Sequence, residues 1–267
     1  MKRYIVRPGE PARLDRADPE DTSGFDGDKD DGLKRLGKLT VRLEELQELL
    51  YADQKHAILI VLQGMDSAGK DGTIRRVFSG VNPEGVRVAS FKIPSVLESD
   101  HDFLWRVHQQ VPARGEIVLF NRSHYEDVLI TRVHGFIKRA AWERRYRAIN
   151  EFERSLTEEG TTILKFFLHL SRGEQKRRLK ERLDDPTKHW KFRESDIQER
   201  RLWPAYMEAY EEAITKTSTT WAPWYVVPSN RKWFRDLFVS EQIVSTLEGF
   251  RMRYPPLPPE LRSARIL

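Results

Sequence analysis

Apolar residues in this chain gather in short unbroken runs, and the stretches between them mostly repeat at helical spacing. Ala57–Gln63 is the clearest run and predicts a strand covered on both faces that stops at Gly64. Val86–Phe91, Glu116–Phe120, Thr162–Leu170 and Tyr225–Val227 predict four more strands. A helix is expected from Leu33 to Tyr51, where Leu36, Leu39, Leu43, Leu46 and Leu50 make one apolar stripe. That stripe packs on the chain's own sheet or forms a subunit interface. Further helices are expected from near Lys70 to Ser79, from about Ser99 to Gln110, from Ala140 to Glu158 and from Arg231 to Phe250. Two more are expected around Arg172–Arg193, broken at Asp184-Asp185-Pro186, and over Glu194–Thr215, broken or kinked at Pro204.

Strands alternating with helices predict one α/β domain, a five-stranded parallel sheet with helices on both faces. It spans about residues 33–254. Residues 1–32, rich in Asp, Gly and Pro, read as an extended or partly disordered arm, and 255–267 as an extended tail.

The absence of cysteine excludes disulfides and thiolate metal sites, and the seven histidines show no zinc spacing. No secretory core or membrane-length apolar run is present, so a cytoplasmic location is the default, with no membrane partner. A net charge of +5 points to an anionic partner.

The chemistry concentrates in three places. Gly64, four residues, then Gly69-Lys70, between a strand and a helix, has the spacing of a phosphate-cradling loop. There Gly64, Ser67, Ala68, Gly69, Lys70, Asp71 and Gly72 would surround an anion with backbone N–H groups, a helix start and a lysine. Asp71 replaces the usual Ser or Thr, and Asp66 lies inside the loop. Acids facing phosphate require a divalent cation between them, so both are candidates near Mg²⁺; otherwise Asp71 favours the helix's first turn and Asp66 is a solvated loop acid. The second place is Asn121-Arg122-Ser123-His124-Tyr125-Glu126-Asp127, at the carboxyl end of a predicted strand facing the loop. A capping box on Ser123 with Glu126 is compatible with it; His124 and Tyr125 read as packing residues. The third is the basic stretch with Arg178, Arg182, Lys191 and Arg193. It is either a lid over phosphates, about 172–193, or a solvated charged helix. Phe91–Pro94 offers an edge for a nucleotide base.

The loop, the Asn-Arg-Ser-x-Tyr segment and the basic stretch together resemble the family-2 polyphosphate kinases, from about Asp21 to Tyr254. The resemblance implies a thymidylate-kinase-like, P-loop kinase fold and Mg²⁺-dependent phosphoryl transfer between inorganic polyphosphate and nucleotides. It implies Asp66 as catalytic acid and metal ligand, Lys70 and Arg122 as phosphate binders, and Arg178 as a lid clamp. Asn121 stands where many members have Asp, leaving Asp127 or Asp66 to hold the metal. Asn121 with Glu126 is similar to the subgroup that accepts both AMP and ADP, with Glu126 set against the acceptor's α-phosphate. Adenine or guanine nucleotides are the expected acceptors, and a homo-oligomer the expected state. An ATP-dependent nucleoside monophosphate kinase and a non-enzymatic polyanion binder are the alternatives. Asp71 weighs against the first, and the clustered acids weigh against the second and against nucleic acid.

Overall fold

The computed structural model describes residues 3–261. In chain order the elements are β1 (Ile5–Val6), α1 (Lys29–Asp53), β2 (Ala57–Gln63), α2 (Lys70–Val77), β3 (Val86–Ser90), α3 (Val96–Ser99), α4 (Trp105–His108) and β4 (Ile117–Asn121). They continue with α5 (Ile130–Val133), α6 (Arg139–Glu158), β5 (Thr161–His169), α7 (Arg172–Asp184), α8 (Glu194–Arg201), α9 (Trp203–Thr217), β6 (Trp224–Pro228) and α10 (Lys232–Gly249).

The strands form one mixed sheet of six, in the order β1-β6-β5-β2-β4-β3. All neighbours from β6 to β3 are parallel, while β1 joins β6 antiparallel. The five-stranded expectation is corrected at that edge. With two residues, β1 is too short to show a period, and only its partner Trp224–Tyr225 defines it. The arm that carries it is laid on the domain: Leu14 N–H donates to Glu211 (2.8 Å), Ala12 N–H donates to Thr215 (3.0 Å), and Val6 and Leu14 are buried.

Each face of the sheet has its own core. On one side α6 and α9 bring Tyr146, Ile149, Phe152, Tyr210 and Ile214 onto Leu59, Val61, Val118 and Phe120. On the other, α1 lies along α10, and Leu43, Leu46, Leu50, Phe238 and Ile243 meet Ile58, Ile60 and Phe166. The leucine stripe is thus covered by this chain itself, which removes the sequence hint of a subunit interface. Strands buried on both faces need no alternation, which is why they read as continuous apolar runs.

Three helix expectations change. α1 starts at Lys29, because the Asp28 side chain accepts the N–H groups of Asp30 and Asp31. The acidic run is a cap rather than a disordered tip. Ser99–Gln110 holds only the last residue of α3 and the short α4, since the Asp102 side chain takes the Leu104 N–H and starts a new turn. Pro204 opens α9 in its first turn, where a missing N–H costs nothing. Of the tail, Tyr254–Pro258 is irregular and Pro259–Leu261 a short 3-10 turn; residues 262–267, like arm residues 1–2, lie outside the described residues. Among the described residues no helix is long and apolar enough to cross a membrane.

Candidate active site

β2 ends at Gln63 in the middle of the sheet, and the chain turns through Gly64–Gly69 into α2. Gly69 has φ 108°, and a Cβ there would stand 1.9 Å from the Arg235 guanidinium, so no other residue fits. The loop's carbonyls are held from beneath. Gln175 donates to Asp66 O (3.0 Å), Arg178 to Ser67 O and Ala68 O (3.0 Å each), and Arg235 to Ala68 O (3.0 Å). Above them, Lys70 Nζ donates to Gly64 O at 2.6 Å. Burial pulls the Lys70 ammonium below its usual range and Arg122 adds to it, while Asp66, Glu126 and Asp71 oppose them.

β4 delivers the facing group. Arg122 follows its last residue with φ 65°, and its guanidinium reaches Asp66 Oδ1 at 3.1 Å. Asn121 Nδ2 donates to Asp71 Oδ1 at 2.6 Å, tying the second strand end to the first turn of α2. Half-buried Glu126 completes the group. Burial raises its carboxyl above the usual range, and Arg122 and Lys70 partly offset this. Two tyrosines of α9 close the side: Tyr210 is raised well up by burial and by Glu126 and Asp66, and Tyr206 is bonded to Glu199 at 2.6 Å. Lys70, Arg122, Asp66, Asp71, Asn121 and Glu126 are therefore brought together around the loop.

Several residues lie elsewhere. Asp127 is bracketed by cations: Arg145 bonds its carbonyl (2.8 Å) and reaches Oδ1 at 3.4 Å, while Arg106 stands 3.6 Å from Oδ2. Two guanidinium groups thus flank this carboxylate. Arg178 is 5% exposed, and its five N–H groups meet Glu174, Ser67, Ala68, Ser229 and Asn230. It braces the loop and has no N–H left for a phosphate, which corrects its expected role as a clamp. Phe91 is in the core, edge-on to Phe120 and under Arg106, so only exposed Pro94 of that pair is free to meet a base. Arg182 bonds Lys191 O (3.3 Å) and lies 3.7 Å from Asp196, Lys191 Nζ sits over the Trp190 ring, and Arg193 is exposed.

Arg235, Gln175, Tyr206 and Tyr210 support the site from far along the chain, and nothing in their local sequence marks them. Lys165 was missed, though its signal is present: a charge inside an apolar strand needs a buried partner, here Glu153 at 2.6 Å.

Comparison with known proteins points to one family. A family model described as polyphosphate kinase 2 matches residues 26–254. The chain is 58% identical to an AMP/ADP-polyphosphate phosphotransferase of Meiothermus ruber, covering 100% of this chain and 99% of the relative. It is 44% identical to an ADP-polyphosphate phosphotransferase of Rhodopseudomonas palustris, over 98% and 94% of the two chains. The crystal structure of polyphosphate kinase 2 from Arthrobacter aurescens TC1 matches with a TM-score of 0.92 at 47% identity, over 95% of this chain and 90% of that one. With most of its length matched in sequence and nearly all of it in structure, the chain belongs to the polyphosphate kinase 2 family.

Proposed function

We propose that this protein transfers phosphoryl groups from inorganic polyphosphate to AMP and ADP, forming ADP and ATP. The meeting of Lys70 and Arg122 over a braced loop, with Asp66 and Glu126 beside them, carries this reading. In each transfer a terminal P–O–P bond of the donor breaks and an acceptor phosphate oxygen bonds the released phosphorus. That oxygen is already anionic at neutral pH, so the reaction needs charge neutralisation and alignment more than a base. Lys70 and Arg122 supply the positive charge. Ser67, Ala68, Gly69 and Gly72 line the loop around the phosphates, and Arg182, Lys191 and Arg193 act as a lid over the donor chain. Glu126 orients the acceptor phosphate, Pro94 borders its base, and the fold is read as a P-loop kinase of thymidylate-kinase type.

Mg²⁺ fits the loop acids. Asp66 and Asp71 are hard oxygen donors on the phosphate loop, the ligand type that Mg²⁺ takes beside phosphates. Asp127, flanked by two arginines, suits the metal less well than Asp66, which meets one, Arg122. When bound, Mg²⁺ would supply charge neutralisation between the two phosphate groups.

The test is purified protein with polyphosphate, Mg²⁺ and either AMP or ADP, with the nucleotides then separated. ADP from AMP and ATP from ADP, with no ATP added, are expected. No new nucleotide under those conditions, but turnover with ATP plus AMP, would replace this reading with an ATP-dependent monophosphate kinase.

A further inference from the structure

The deepest charges in the protein lie outside the cleft. Lys165, in β5, and Glu153, in α6, are both 0% exposed and 2.6 Å apart. The Lys165 ammonium also donates to Thr217 O at 2.7 Å and to the Tyr125 hydroxyl at 3.0 Å. Glu153 accepts from the Tyr125 hydroxyl at 2.8 Å and lies 3.2 Å from His124 Nε2. Tyr125 and Trp224 Nε1 both reach Thr217 Oγ1, at 3.0 and 2.9 Å. The three ammonium hydrogens and both carboxylate oxygens are used.

A buried ion pair is a poor stabiliser, because well-packed apolar residues of similar volume do as well or better. What distinguishes this one is where its contacts lead. Tyr125 and His124 belong to the turn between Arg122 and Glu126. Thr217 ends α9, which carries Tyr206 and Tyr210, and β5 leads into α7 with Gln175 and Arg178. The turn, α9 and the β5–α7 connection each supply a residue at the loop or cleft.

The turn also needs holding. Arg122 has φ 65°, a conformation that a residue with a side chain keeps only when its surroundings impose it. Those surroundings are Ser123, whose hydroxyl takes Gln63 Nε2 (3.1 Å) and the Tyr125 N–H (3.2 Å), and Tyr125, whose ring is anchored in the ion pair. Without the anchor at Tyr125, the Ser123 contacts, the Arg122 N–H bond to Leu62 O (3.3 Å) and the Arg122–Asp66 pair are left to resist relaxation at Arg122.

We propose that Lys165 and Glu153, acting through the Tyr125 hydroxyl, are positioning residues that hold Arg122 and Glu126 against the phosphate loop. The proposal rests on the reading of the cleft given above. Their role is alignment, and none of the three touches substrate.

Two variants test it. Tyr125→Phe deletes only the hydroxyl, and Lys165 keeps Glu153 and Thr217 as partners, so no charge is stranded. The double variant Lys165→Met with Glu153→Gln removes both charges together. For each, the thermal midpoint, kcat, and the KM values for ADP and polyphosphate are measured. A misaligned turn is expected to lower kcat about tenfold to a hundredfold, with the polyphosphate KM and thermal midpoint of Tyr125→Phe close to those of the parent. Folded variants with parental kcat overturn the proposal. So does a joint decline of kcat, both KM values and thermal midpoint, the signature of a merely structural role. If the double variant does not fold, Tyr125→Phe decides alone. A crystal structure of Tyr125→Phe reads the device without turnover. Arg122 is expected to leave its left-handed conformation and its contact with Asp66, and an unchanged turn refutes the idea whether or not polyphosphate is the donor.

Discussion

At Glu126 burial disfavours the charged carboxylate. Burial raises its carboxyl, and the cations at Arg122 and Lys70 only partly compensate. A folded-state value above the unfolded one means that the folded protein loses stability as pH rises through it. Glu126→Gln is therefore expected to raise the thermal midpoint above neutrality, with the gap to the parent closing toward acid pH. In the same variant, AMP phosphorylation is expected to fall about a hundredfold and ADP phosphorylation by less. Equal losses on the two acceptors would remove Glu126 from the acceptor's side. Arg178 is the converse case, a residue whose value is in bracing. Arg178→Met would take the donor from Ser67 O, Ser229 O and Asn230 O, while Ala68 O keeps Arg235 and Glu174 keeps Arg177, so chemical denaturation should show a loss of about 3–5 kcal/mol. Arg178→Lys should recover little of it, because an ammonium cannot span five acceptors. The loop residues were legible from local spacing alone. Arg178 was legible only as a cation on a helix. Its partners Ser67 and Ala68 stand 111 and 110 positions away, and no local pattern records such a contact.

Among the elements, the strands that carry the site were the most readable, since parallel strands covered on both faces announce themselves as apolar runs. β1 and the short turns α3 and α4 were not readable, because their boundaries come from single side-chain caps and tertiary pairing. The arm is the element most open to test. Leu14 is 5% exposed among the residues of the α6–α9 face, although it comes from a segment with the composition of disorder. Leu14→Ala should cost about 2–5 kcal/mol in thermal or chemical unfolding, and a silent substitution would mean that the arm is not packed in solution.

For the whole molecule, charge and topology act on different things. A net charge of +5 is small beside a polyphosphate chain, so donor binding depends on how the cations are arranged and on how freely their field reaches through solvent. Raising salt from about 50 to about 200 mM should therefore raise the polyphosphate KM steeply and the AMP KM much less, as steady-state kinetics at fixed Mg²⁺ would show. Topology bears on assembly. Ile5 pairs with Tyr225, so the strand that leaves the ribosome among the first must wait for almost the last one to be made. Until β6 is made, Ile5 and Val6 have no edge to pair with, although Ala12 and Leu14 already find α9. β1 therefore joins the sheet late, and a bulky fusion placed ahead of Ile5 would obstruct that closure rather than any earlier stage of folding.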